Sequence, residues 1–318
     1  MKQINQFITE YIIKKKLEKP IDSEDHYEYY PKTKQELIEN INQLIKKNIY
    51  DFNCIDTSAI TNMSHLFDMS LDILIRYSVK DVYFDVSEWN VSNVTDMSYM
   101  FYDCKRFNCN LSGWDVSNVT NINSMFCQCS NFTGKGIENW DVSNVKDMES
   151  VFYRCSNFNC DLSGWDVSKV TNMKHMFGYC KNFTGKGIEK WDVSNVENMI
   201  YMFDDCYSFN CDLSGWDVSK VKDMSYMFSN CEKFDCNLGN WNIKNVKAMN
   251  ALFSGCYNFT GKGLENWDVS NVENMEFMFY DCLKFNCNLN KWNINNANTY
   301  YMLYNCNKLK NKPSWYKE

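Results

Sequence analysis

FNCDLSGWDVSKVTNMKHMFGYC, residues 158–180, is one instance of a phrase that the chain repeats along most of its length. Its tryptophan supplies a ruler. Trp89, Trp114, Trp140, Trp165, Trp191, Trp216, Trp241, Trp267 and Trp292 follow one another at intervals of 25 or 26 residues. A fixed period of this size marks tandem duplication into a stacked array, in which each copy buries its apolar face against its neighbours. The extra residue of the longer copies always falls in one place, where FTGKGIENW (132–140), FTGKGIEKW (183–191) and FTGKGLENW (259–267) replace the shorter FNCDLSGW type. An insertion confined to one point marks a surface loop. Upstream, IDTSAITNMSHLF (55–67) fits the phrase with Ile55 in the tryptophan place, and an insertion of extra residues follows at about 68–88.

Each copy carries two periodicities. Leu111, Trp114, Val116 and Val119 have the spacing of a leucine-rich-repeat strand, with Asp, Ser and Asn pointing outward between them. Counting tryptophan as position zero, positions 8, 11, 12 and 15 are then apolar, as in Met97, Met100, Phe101 and Cys104 or Met173, Met176, Phe177 and Cys180. Offsets of 0, 3, 4 and 7 predict a short helix. Asp96, Asn121, Asp147, Asn172, Asn198, Asp223 and Asn274 precede it as caps. Ala248 breaks that column, so the helix start there is expected to be the least well held. The expected fold is an α+β repeat protein, a solenoid of about ten coils over 55–309 with one short parallel strand and one short helix per coil.

The ends differ from the array. Leu37, Ile41, Leu44, Ile45 and Ile49 recur at helical spacing within 32–52, and residues 3–17 form a second, less regular helical stretch. Residues 1–54 are therefore expected to be an N-terminal helical cap over the open end of the stack. Residues 310–318 are expected to be a C-terminal tail or cap.

The quoted phrase resembles the BspA-like leucine-rich repeat family, the roughly 25-residue repeat of bacterial surface proteins and mycoplasma lipoproteins. The resemblance covers residues 55 to about 309. It implies a right-handed leucine-rich-repeat-like solenoid that binds proteins, often host matrix or host-cell proteins, and it implies no catalytic residues. By that analogy the protein is an adhesin at the cell surface or secreted.

Composition narrows the function further. Among 318 residues there are 16 Cys, 17 Met and 10 Trp but only three His, which leaves little for histidine-based catalysis or zinc binding. The net charge is −7 with no basic stripe, so no nucleic-acid partner is expected. Mean hydropathy is −0.49, and no stretch approaches the length of a membrane span. Residues 1–20 lack the apolar run and cleavage site of a signal peptide, so as the sequence stands the protein is expected in the cytoplasm. The cysteines form two columns. Cys104, Cys129, Cys155, Cys180, Cys206, Cys231, Cys256 and Cys282 occupy position 15, and Cys109, Cys160, Cys211, Cys236 and Cys287 occupy position 20. Position 20 is filled by Gly134, Gly185 and Gly261 in the long copies, so a disulfide within each repeat would leave those copies unpaired. A cysteine ladder of free thiols is the expectation, with oxidation between stacked copies left open.

No catalytic residue, cofactor or metal is assigned. The candidate binding surface is the strip of Asp115, Asp141, Asp166, Asp192 and Asp217 with Ser117, Ser143, Ser168, Ser194 and Ser219, together with the loop lysines Lys135, Lys186 and Lys262. A polar ladder that keeps the sheet soluble is the plainer role of that strip, and docking of a basic protein is the functional one. The expected function is a non-enzymatic protein-binding scaffold. An intracellular regulatory or inhibitory subunit is the alternative, and an enzyme or enzyme accessory would need a site contributed by the N-terminal segment or a partner.

Overall fold

In the computed structural model, which describes residues 27–68, 79–295 and 297–316, the chain is a repeat solenoid whose coils are joined by parallel bridges. The helical stretch expected at 3–17 and residues 69–78 of the insertion lie outside the described residues. Asn62, Asp96 and Asn121 form one run of rungs, and Asp147, Asn172, Asn198, Asp223, Ala248, Asn274 and Asn298 form another. In the copies led by Trp89 to Trp267 these rungs sit seven residues beyond the tryptophan. The strand expected around the tryptophan is absent. Trp114 N–H donates to Leu111 O at 3.1 Å and Val119 N–H to Val116 O at 2.9 Å, so the segment is a pair of tight turns. Asp115 supplies the reason: its Oδ1 accepts Ser117 N–H at 3.1 Å. A backbone donor captured by a side chain two residues away is lost to a ladder.

The short helix expected in each coil is absent as well. Tyr99 and Asp103 have φ of 55° and 61°, and the same left-handed pair recurs at His175 and Tyr179 with 56° and 62°. Left-handed residues four apart stop an α-helix. The backbone donors alternate instead. Those of Met100, Tyr102 and Cys104 turn back to carbonyls three residues earlier, while those of Met97, Tyr99, Phe101 and Asp103 cross to Asn121, Asn123, Met125 and Cys127 at 2.8–2.9 Å. Spacing dictates this choice. The stacked rings of Phe101, Phe126, Phe152 and Phe177 step by 5.5–5.8 Å, whereas packed helices need about 8–10 Å between axes. A ribbon of turns fits that step and hands half its donors to the neighbouring coil.

The residues expected as helix caps close turns. Asp96 Oδ1 accepts Ser98 N–H at 2.9 Å, and Asn172 Oδ1 accepts Lys174 N–H at 3.1 Å. Ala248 has no such acceptor, yet its bridges to Asp223 and Asn274 are both formed. The ladder rather than the side chain holds that point.

The apolar columns point inward even though the element differs. Met97, Met100, Phe101 and Cys104 are fully buried, and one hydrophobic cluster runs from Leu37 to Cys306. Within a coil Phe101 and Phe107 stack at 4.0 Å. Every indole donates backwards: Trp140 Nε1 reaches Leu111 O at 3.3 Å, Trp165 reaches Ile137 O at 2.8 Å, and Trp191 reaches Leu162 O at 3.1 Å. Trp315, placed in the tail by sequence, makes the same bond to Leu289 O at 3.0 Å and is a further rung.

Helix α1, Lys34–Lys46, closes the other end. Thr33 Oγ1 accepts Glu36 N–H at 3.2 Å, and Asn48 (φ 57°) ends the helix with bonds from Asn48 and Ile49 to Ile45 O and Leu44 O. Its Leu37, Ile38, Ile41, Leu44 and Ile45 are buried on the stack. Tyr29, bridged to Ile55, leads into it, and Lys34 Nζ caps Ser64 O of the first coil. A helix fits here because it has a coil on one side only.

The left-handed turns give a sign test. Ser150 (φ 58°) is half-buried, so Ser150→Gly is expected to raise stability by about 0.5–1 kcal/mol in urea unfolding. In a helix the same change would lower it by roughly 0.5 kcal/mol.

Candidate binding faces

The acidic strip is exposed and each of its members is built into a turn. The Oδ1 atoms of Asp115, Asp141, Asp166, Asp192 and Asp217 accept the N–H of Ser117, Ser143, Ser168, Ser194 and Ser219 at 2.9–3.1 Å. Ser hydroxyl and then Ser backbone hydrogen bonds hold the Asp115, Asp166 and Asp217 carboxyls below the usual aspartate range. Amides tie neighbouring coils together beside the strip, as Asn118 Nδ2 bonds Ser92 O at 2.8 Å and Asn144 Nδ2 bonds Ser117 O at 2.8 Å. The result is one carboxylate per coil on a frame with little freedom to move.

The loop lysines stand apart from that strip. Lys135, Lys186 and Lys262 are exposed, and among the described residues no ion pair joins them to the five aspartates. Their loops are held by backbone bonds: Leu111 N–H reaches Lys135 O and Leu162 N–H reaches Lys186 O, both at 3.2 Å. Gly134 shows why these copies carry glycine at position 20. Its φ is 87°, and a Cβ there would lie 2.5 Å from the Cβ of Cys160 in the next coil. Lys186 pairs with Asp161 at 3.1 Å.

All sixteen cysteines are free. The position 15 thiols donate to the phenylalanine carbonyl of the preceding coil, from Cys129 to Phe101 O at 2.9 Å through Cys282 to Phe253 O at 3.0 Å. Burial pushes Cys129, Cys155, Cys180, Cys206, Cys231 and Cys282 well above the ordinary thiol value. Of the position 20 thiols Cys109 is fully buried, and the other four lie nearer the surface beside carboxylates: Cys236 Sγ is 3.4 Å from Asp212 Oδ1 and Cys287 Sγ is 3.4 Å from Glu265 Oε2. Burial first raises these also, Cys236 to about 11 and Cys287 to about 12. Thiols so protonated are poor nucleophiles at neutral pH. Among the described residues no group of three or more His, Cys, Asp or Glu could hold a metal ion, and no helix is long and apolar enough to cross a membrane.

Sequence reasoning missed a second feature, the half-buried aromatic stacks on the turn ribbon. His65 lies on Tyr99 at 4.6 Å, and His175, Tyr201 and Tyr226 stack in series at 4.7 and 4.5 Å. Their recurrence at position 10 is visible in the sequence, but the stacking follows from the left-handed backbone there. Asp204 was missed too. It is 6% exposed beside Asp205, and burial followed by the Asp205 charge pushes it up to about 7.

These carboxyls have opposite pH signatures. The depressed ones contribute stability that is complete above about pH 4, their unfolded value, and is lost as pH falls through their lower folded values. Asp166→Asn should therefore soften the acid limb of a Tm-against-pH curve, while Asp166→Ala lowers stability at pH 7 by about 0.5–1 kcal/mol. Asp204 binds its proton more tightly when folded, so its destabilising effect grows from about pH 4 to 7 and is constant above. Asp204→Asn is expected to raise Tm at pH 8 and leave it unchanged at pH 4.

A family model described as "Mycoplasma protein of unknown function, DUF285" matches in four overlapping stretches, residues 34–159, 75–186, 160–263 and 232–317. No curated protein matches the chain. Among solved structures, a chain of the "Crystal structure of TLR13-ssRNA13 complex" is similar at 9% identity with a TM-score of 0.20, over 80% of this chain and 52% of that one. The protein thus spans about half the length of that structural neighbour.

Proposed function

The chain belongs to the DUF285 family of repeat proteins, and from that premise we propose that it is a non-enzymatic protein-binding scaffold. One observation carries the reading: five exposed aspartates, one per coil, stand in a row on a frame braced by coil-to-coil hydrogen bonds. A row of like charges held at fixed spacing suits a basic face on another protein, and such complementarity governs encounter and orientation more than raw affinity. The BspA-like resemblance supports a right-handed, leucine-rich-repeat-like winding and a host-matrix or host-cell protein as the ligand. The free thiols favour a second reading, an intracellular regulatory or inhibitory subunit, because reduced cysteines persist where thiols are kept reduced.

The triple variant Asp141→Lys, Asp166→Lys, Asp192→Lys tests the shared part of both readings. Against a panel of purified basic matrix proteins and basic cytosolic proteins, binding by the natural chain should weaken with added salt and fall at least about tenfold in the variant. Undiminished binding by a folded variant would overturn the assignment of the strip. A thiol titration separates the two readings. Sixteen reactive thiols in denaturant after native purification support the intracellular one, and protection of most of them supports an exported protein.

A further inference from the structure

A groove of about 770 Å³ opens at the C-terminal end of the array, lined by Lys262, Lys284, Lys308 and Lys310 with Asn286 and Glu265. Lys262, Lys284 and Lys308 come from three consecutive coils, and among the described residues none of the four lysines is in an ion pair. For Lys262 the reason lies in the preceding coil. Lys186 is neutralised by Asp161, whereas the residue in the place of Asp161 before Lys262 is Asn237. Glu265, the one carboxylate of the lining, already accepts the Cys287 thiol at 3.4 Å.

The same face changes sign along the stack. A groove of about 470 Å³ around Cys211 and Cys236 is lined by Asp212 and Asp235 and by no lysine. In a chain of net charge −7 the basic groove is therefore a local departure, not an average property. Four lysines lining one cleft gather like charges that repel each other, and a ligand bearing several anions removes that repulsion. Lysine is a compact charge on a flexible stem and suits anions spaced along a chain better than planar two-point recognition. The lining contains no aromatic side chain, so nucleobases have no surface to stack on. The Asn286 and Asn288 amides can serve hydroxyl groups.

We propose that this groove binds a linear sulfated oligosaccharide, whose sulfates repeat along the sugar chain as the lysines repeat along the coil stack. The site is separate from the acidic strip and does not depend on the protein-binding reading. A heparin-derived hexasaccharide, titrated calorimetrically into the full chain at low salt, should bind and should weaken as salt is added. The double variant Lys284→Gln, Lys308→Gln should bind at least about tenfold more weakly. Lys222→Gln, at a lysine already paired with Glu197 outside the groove, should bind as the natural chain does, and Lys284→Arg, Lys308→Arg should keep binding and so guard against a fault in folding. A desulfated hexasaccharide should not bind. Absence of binding at low salt, undiminished affinity in the double Gln variant, equal loss in Lys222→Gln, or equally tight binding of a short single-stranded RNA would each overturn the proposal.

Discussion

Everything in this structure depends on backbone N–H groups that cross from one coil to the carbonyls of the next. In the coil that begins at Trp89, four alternate donors from Met97 to Asp103 make that crossing, and the donors between them are satisfied within the coil. Within the turn ribbon this gives each coil a direction, with the donors from Met97 to Asp103 facing the next coil, while outside the ribbon Thr120 N–H crosses the other way to Thr95 O at 2.9 Å. On its N-terminal side the first coil receives Lys34 from helix α1, which is how a helical cap joins a stack built mainly of turns.

The crossing bonds fix a step between coils, and the step selects the side chains. Flat rings tolerate it, which accounts for continuous stacks of phenylalanine and for tryptophan pairs such as Trp114 and Trp140 at 6.2 Å. A thiol tolerates it as well, because cysteine is small and its weak donor can reach the Phe carbonyl of the coil before. Gly134 marks the limit, where even a Cβ would collide with Cys160. The excess of Trp, Met and Cys is thus the result of meeting one packing problem in every coil.

Surface residues escape these demands, and there the coils differ. The aspartates beside tryptophan keep one sign over five copies, while the face around position 20 passes from acidic near Cys236 to basic near Cys287. A frame that repeats in its interior and varies outside can present unlike surfaces to unlike ligands without any change in fold. The strip of Asp115 to Asp217 was legible because its column is nearly invariant. The basic groove was not, since Lys262 lies in the loop, Lys284 and Lys308 each stand two residues after a buried cysteine, and they converge with Lys310 only when the coils stack.

The sequence by itself determined the repeat length, the loop that takes the extra residue, and which side chains face inward, because duplication writes period and burial directly into the residue pattern. Met97, Met100, Phe101 and Cys104 were buried by any account of the repeat. Only the tertiary structure decided what the backbone does between them. Offsets of 0, 3, 4 and 7 suit both an α-helix and a ribbon of turns with bonds three residues apart. The close approach of the neighbouring coil decides between them, and no single copy contains that neighbour.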